Sequence, residues 1–257
     1  MWHHICGDIY ESRKLILSMN YNELNFDYLT RERELSMSAA FPVLMRKVYV
    51  WMTLALVLTG VTAYGVANSP GVLTALYSNQ ILLWGLVIAE FAIVFGVSAA
   101  INKLSLTTAT LLFVLYSVIN GALFSSIFIV YTMSSIASVF FITAGTFGVM
   151  ALVGYTTKKD LSSMGKILFM ALIGIIIATI VNIFLKSSGL EMIVSYLGVL
   201  IFVGLTAYDT QKIKNMLLMA PDASEGAQKM ALLGALTLYL DFINLFIYLL
   251  RIFGRRE

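Results

Sequence analysis

The 257-residue chain is 60% apolar and 12% charged, about half the charged fraction of an ordinary soluble domain, and its mean hydropathy is +0.88. These values place it among multi-pass membrane proteins. A net charge of +3, with the bases scattered among loops, gives no support for a nucleic-acid-binding surface, and the single cysteine, Cys6, excludes an internal disulfide.

The first 35 residues are polar and mixed in charge, with no apolar run ahead of a small-residue cleavage site, so no secretory signal is expected. They read as a tail, disordered or in part carried over from upstream of a start at Met19. His3, His4 and Cys6 in such a tail do not make a metal site. A single membrane domain is expected over residues 36–257.

About 20 apolar residues cross a bilayer's hydrocarbon core. Seven such stretches follow in order, at about 48–67, 81–101, 106–131, 136–156, 167–185, 192–211 and 230–253. From Leu104 to Thr157 there is no charged residue, which is room for two spans turning at Thr132-Met133-Ser134-Ser135. Pro42, Pro70 and Pro221 fall outside these stretches, so no span is expected to be proline-kinked. In the second span Gly85, Ala89, Ala92 and Gly96 recur at helical spacing, the small-residue pattern that permits close backbone approach. The predicted fold is all-α: a seven-transmembrane-helix bundle.

Orientation follows from the bases. With the N-terminus inside, the inner loops carry Lys103, then Lys158, Lys159 and Lys166, then Lys212, Lys214 and Lys229, and the outer loops carry only Lys186. Arg31, Arg33, Arg46 and Lys47 agree. Arg251, Arg255 and Arg256 do not, because seven spans put them outside. A bacterial cytoplasmic membrane is the expected location.

Of the 14 acids, three lie deep in apolar stretches: Glu90 in the second span, Asp209 in the sixth and Asp241 in the seventh. A charged acid at a bilayer helix centre costs roughly 2.5–3.5 kcal/mol on insertion scales and marks a functional position by default. In the last span Thr237, Asp241, Asn244 and Tyr248 fall at i, i+4, i+7 and i+11, one polar stripe on an otherwise apolar helix. Lipid cannot satisfy that stripe, so the helix is expected to stand centrally, packed against the others. Asn120 and Asn182 are expected to add interior hydrogen bonds.

If the sixth helix continues through Lys214 to about Leu218, Asp209 and Asp241 reach comparable depth on consecutive antiparallel helices. Two carboxyls in one low-dielectric site cannot both ionise cheaply, so the pair holds a shared proton near neutral pH. Protonated, it fastens two helices together. Deprotonated, it repels itself and offers oxygen ligands to a hard cation such as Ca²⁺. Glu90 is expected either to line the entry to the same cavity or to accept a hydrogen bond from an adjacent span.

The segment AYDTQKIK followed by LTLYLDFINLFIYLLRIFG resembles the two final helices of the Bax-inhibitor (transmembrane Bax inhibitor motif) family. The resemblance extends to LMRKVYVWM in the first span, the acid of the second and KKDLSSMG after the fourth, covering about Ser36 to Phe253. It implies a seven-helix bundle with the last helix central and a pH-sensitive calcium leak. Asp209 and Asp241 match the family's proton-sharing pair, and Glu90 matches an acid associated with ion conduction. The partners so implied are the bilayer, calcium and protons, with calcium permeant or bound at the pair and no other cofactor.

One departure concerns an arginine that some bacterial relatives carry near the inner end of the second span as part of a closed latch. That region here reads AAINKLS, where Lys103 is the available base, a point charge rather than a bidentate fork. Other readings exist for the same acids. Tyr208-Asp209 is the first half of an intramembrane aspartyl protease motif, but Leu238-Tyr239-Leu240-Asp241 lacks the glycines of the second half, so no enzyme is expected. A proton-coupled secondary transporter remains an alternative, although no broken-helix pair or inverted repeat is visible. A non-conducting membrane interaction protein is another.

Overall fold

The computed structural model describes residues 39–256, so the tail at 1–35 lies outside the described residues. The described residues are 87% helical, an all-α membrane bundle. Its helices are α1 (Ala39–Ala67), α2 (Pro70–Ser78), α3 (Gln80–Ala100), α4 (Leu106–Phe124), α5 (Ile127–Val130), α6 (Met133–Thr156), α7 (Ser162–Leu185), α8 (Ser188–Leu218) and α9 (Glu225–Phe253). Seven spans result, with α4 and α5 forming one of them at Leu106–Val130.

The expected spans hold, but their ends move outward wherever caps and amphipathic turns extend an apolar core. α8 runs 31 residues through Lys212 and Lys214, about 46 Å at 1.5 Å per residue. Its N-cap Ser187 accepts a hydrogen bond from the Leu190 N–H at 3.3 Å, supplying one of the acceptors a helix start lacks. Pro42 is a correction: it lies within α1 rather than before it. The turn before α6 is centred earlier than expected, with Thr132 as N-cap. Ser125 and Ser126 interrupt the third span, where the Ser125 hydroxyl turns back to the Ala122 carbonyl at 2.7 Å.

The small-residue stripe of α3 does not pack as expected: a Cβ added at Gly85 or Gly96 would meet nothing. Close approach occurs elsewhere. A Cβ at Gly121 would strike the Thr59 carbonyl, joining α4 to α1, and one at Gly154 would strike the Ala207 carbonyl, joining α6 to α8. Gly165 leaves room for the Tyr208 ring between α7 and α8.

α9 is the most covered span, with 67% of its apolar window buried, against 6% for α3 and for α7. It packs on α8, α6 and α4. Phe242 meets Phe140 and Phe147 edge to face, with ring centroids 5.5 Å apart in both pairs. The two ends of the bundle are stitched differently. At one, Lys47 donates to Gln228 at 2.7 Å, Lys229 to the Leu104 carbonyl at 2.9 Å, and Glu225 accepts from the Leu106 N–H at 3.0 Å. At the other, Arg256 pairs with Tyr131 as an isolated antiparallel bridge and lies 3.8 Å from Glu191.

The second end keeps the C-terminal bases apart from the inner-loop bases. α9 is 29 residues long, about 43 Å, enough to cross a ~30 Å core completely. Arg255 and Arg256 therefore sit with Glu191 and the start of α6, away from the end that carries Lys47 and Lys229.

Candidate functional site: two buried polar centres beside α9

α8 and α9 are consecutive antiparallel helices and form the most closely packed pair among α2 to α9. Because α8 continues to Leu218, Asp209 meets Asp241. Their carboxyl groups lie within hydrogen-bonding reach of each other. Asp209 is 9% and Asp241 4% exposed, so both have left water. The second oxygen of Asp241, Oδ2, is buried with no protein partner, and so is the neighbouring Thr210 Oγ1. A buried polar atom left unpaired costs about 1–3 kcal/mol.

The close approaches at Gly154 and Gly165 press α6 and α7 onto α8 on either side of this position. Tyr49 of α1 faces Thr210. Gln211 bridges outward, accepting from the Leu161 N–H at 2.9 Å and donating to the Lys159 carbonyl at 2.8 Å. The base whose charge Asp209 feels is Lys212, on its own helix, with Nζ 5.9 Å from the centroid of the Tyr208 ring.

Lys103 does not take the latch position. It is exposed in the turn after α3, its N–H bonded to the Ala100 carbonyl at 2.8 Å. A base beyond the helix end, tied into a turn, faces water rather than the bundle interior.

Glu90 does not join the carboxyl pair either. Its carboxyl faces Asn120 of α4, near the neutral phenols of Tyr116 and Tyr239, while its Oε1 has no partner. Around Asn120 runs a continuous buried chain. Thr59 Oγ1 lies 3.0 Å from the Ser117 carbonyl and 2.7 Å from the Tyr239 hydroxyl, which lies 3.2 Å from Asn120 Oδ1; two hydroxyl protons serve these three contacts, so two of the three are hydrogen bonds at a time. Asn120 Nδ2 donates to the Tyr116 hydroxyl at 3.3 Å. Four helices, α1, α3, α4 and α9, meet there. Tyr239 precedes Asp241 by two residues, about 200° of helical turn, so the two centres occupy different faces of α9.

The remaining expected residues fall into local roles. Asn244 donates to the Leu240 carbonyl at 2.8 Å and Thr237 to the Leu233 carbonyl at 3.1 Å, both within α9. Tyr248 stacks on Phe202 with centroids 5.9 Å apart, beside Gly198, and Arg251 lies over its other reach at 5.6 Å. Asn182 is a correction: instead of an interior bond it accepts from the Ser187 N–H at 3.0 Å, closing the end of α7. Lys186 there takes a left-handed backbone with φ 50°, and the asparagine satisfies the turn that follows.

Sequence reasoning missed Thr59, Tyr116 and Tyr239. The available signal was Tyr239 inside the LYLD motif, a hydroxyl that a buried tyrosine must bond. As to a metal, no group of three or more His, Cys, Asp or Glu exists among the described residues. The pair alone supplies four carboxylate oxygens, fewer than the six to eight ligands Ca²⁺ takes. Hydroxyls such as Thr210, carbonyls or water would have to complete the shell.

Comparison with known proteins agrees with this architecture. Residues 42–257 match the family described as Inhibitor of apoptosis-promoting Bax1. The chain is 56% identical over 221 residues to the inner membrane protein YbhL of Escherichia coli, covering 85% of this chain and 94% of that one. A protein of Borreliella burgdorferi is 47% identical over 213 residues, 83% of this chain and 92% of its own. One from Rickettsia prowazekii is 44% identical over 215 residues, 83% and 89% of the two chains. With the match spanning every helix of the bundle, the chain belongs to the Bax-inhibitor family of integral multi-pass membrane proteins.

Proposed function

We propose that the protein is a pH-sensitive calcium leak channel, gated by protonation of the Asp209–Asp241 pair. The carrying observation is that pair: two carboxyls in reach of each other between α8 and α9, both removed from water, with Asp241 Oδ2 unpartnered. Two such groups cannot both be charged without repelling. One proton shared between them makes a hydrogen bond that ties α8 to α9. Removal of that proton replaces the bond by like-charge repulsion and exposes anionic oxygens suited to a hard cation.

Calcium as the ion comes from the family resemblance, and the oxygen-only donor set suits it. Glu90 would contribute from its separate centre, as a charge along the pathway rather than as part of the latch.

Reconstitution tests this directly. Purified protein in liposomes, with no other protein and no co-substrate, is expected to pass Ca²⁺ down its gradient at a rate that changes with pH. Passage that requires a second solute gradient would make the protein a transporter. No passage at any pH would leave an interaction protein.

A further inference from the structure

Between α1, α6 and α9 lies an open groove of about 770 Å³, within the 300–1,000 Å³ typical of small-molecule sites. Its walls are apolar along most of their length, with Leu56, Phe140, Phe147 and Phe242, and its mouth holds Arg46 and Tyr49. From Arg46 to Leu56 is about ten residues of α1, or ~15 Å, half of a ~30 Å hydrocarbon core. The groove is thus as deep as one leaflet, with a cation at the headgroup end and rings at the acyl end.

The charge at the mouth is not spent on the protein. Among the described residues the two ion pairs are Lys229–Glu225 and Arg256–Glu191, and Arg46 is in neither. A second base lies behind one wall: Lys214, itself outside the groove, donates to the Tyr155 carbonyl at 2.7 Å, with its Nζ 5.1 Å from the centre of the Tyr155 ring, and Tyr155 lines the groove. Phe41 stacks on Tyr155 with centroids 6.3 Å apart, placing aromatic rings at the level where they favour the membrane interface.

We propose that this groove is a site for an anionic phospholipid, one acyl chain lying between α1 and α6 and the headgroup on Arg46 with Lys214 behind it. The site is separate from the carboxyl pair and stands whether or not that pair gates ion flow.

Full-length protein, delipidated in detergent, can be titrated with phosphatidylglycerol or phosphatidylcholine and read by native mass spectrometry. Wild type is expected to retain one phosphatidylglycerol in preference to phosphatidylcholine. Arg46→Gln should reduce that preference about fivefold, the worth of one base near an anionic surface. Gly148 lines the groove and a side chain there enters open space, so Gly148→Trp should fill the groove and abolish retention of both lipids. If Gly148→Trp does not fold, the preference measured for Arg46→Gln decides alone. Equal retention of the two lipids by wild type, or an unchanged preference in Arg46→Gln, overturns the proposal. So does a benzophenone at position 144 that couples to residues 1–38 of the same chain, which would make that segment the occupant.

Discussion

On the face of α9 that carries Tyr239, hydroxyls and an amide from three helices form a continuous row of polar contacts, with Glu90 Oε1 unpartnered at its edge. On the face that carries Asp241, two acids meet each other, with Asp241 Oδ2 and Thr210 Oγ1 both unpartnered. Neutral groups that donate and accept can satisfy one another without water, and so lock helices at fixed spacing. Two carboxyls cannot, because each is an acceptor unless it holds a proton. The first centre stays neutral whichever way its hydroxyl protons point; the second changes its charge with its protonation state. Burial alone does not separate a fastening from a switch; the presence of titrating groups does.

The largest effect should come from neutralising the acids. Replacing Asp209 and Asp241 together by asparagine should weaken Ca²⁺ binding at pH 8 at least about tenfold, as charge-free amides make poor ligands for a hard cation. Asp241→Asn alone should flatten the pH dependence of liposome flux. An unaltered pH profile in that variant would end the distinction between the two centres.

Gly154→Ala strikes the Ala207 carbonyl, beside Asp209. It should cost about 1–3 kcal/mol, the usual range for overpacking, read as a lower melting temperature in detergent. Tyr239→Phe removes the hydroxyl shared by Thr59 and Asn120 and should cost about 1–2 kcal/mol while leaving the pH midpoint of flux in place. A shifted midpoint would show that the two faces of α9 are coupled.

Glu90→Gln sharpens the contrast further. The amide keeps shape and hydrogen-bonding capacity but loses charge, so Ca²⁺ flux should fall with little change in melting temperature or pH midpoint. A less stable variant with intact flux per molecule would make Glu90 purely structural.

The smallest effect belongs to Asp160, in the α6–α7 turn. Hydrogen bonds from the Ser162 hydroxyl and N–H hold its carboxyl below the ordinary carboxylate range. A lowered value in the folded state means that its contribution is present above the unfolded value and lost as pH falls through the folded one. At neutral pH Asp160→Asn should shift the melting temperature slightly downward. Below the folded value the variant and wild type should coincide.

Much of the bundle was legible because hydropathy and the length of a bilayer span speak about the same residues. Asp209 and Asp241 could be paired in advance because the charged tail of α8, through Lys212 and Lys214, reads as a continuing helix. Glu90 could be placed by depth either at the pair's cavity or against an adjacent span, since depth says nothing about which neighbour a helix faces; its carboxyl faces Asn120 of α4, the second of these. The α3 small-residue stripe failed for the same reason: Gly85 and Gly96 allow approach but do not compel it. Tyr239 was hidden by its aromatic ring, and Asn182 by its place in an apolar run only five residues from the turn it caps.

The end of α9 has a practical side. After Phe253 the chain is clasped: Arg255 accepts from the Thr132 N–H at 3.1 Å and donates to Ser135 at 2.9 Å, and Arg256 bridges Tyr131. Whatever is joined behind Glu257 by a short linker therefore hangs from the turn between the third and fourth spans. A fluorescent fusion at that end would load this turn mechanically and compete with its hydrogen bonds. Reporters meant to leave the bundle undisturbed belong at the opposite terminus, or behind a linker long enough to leave the clasp closed.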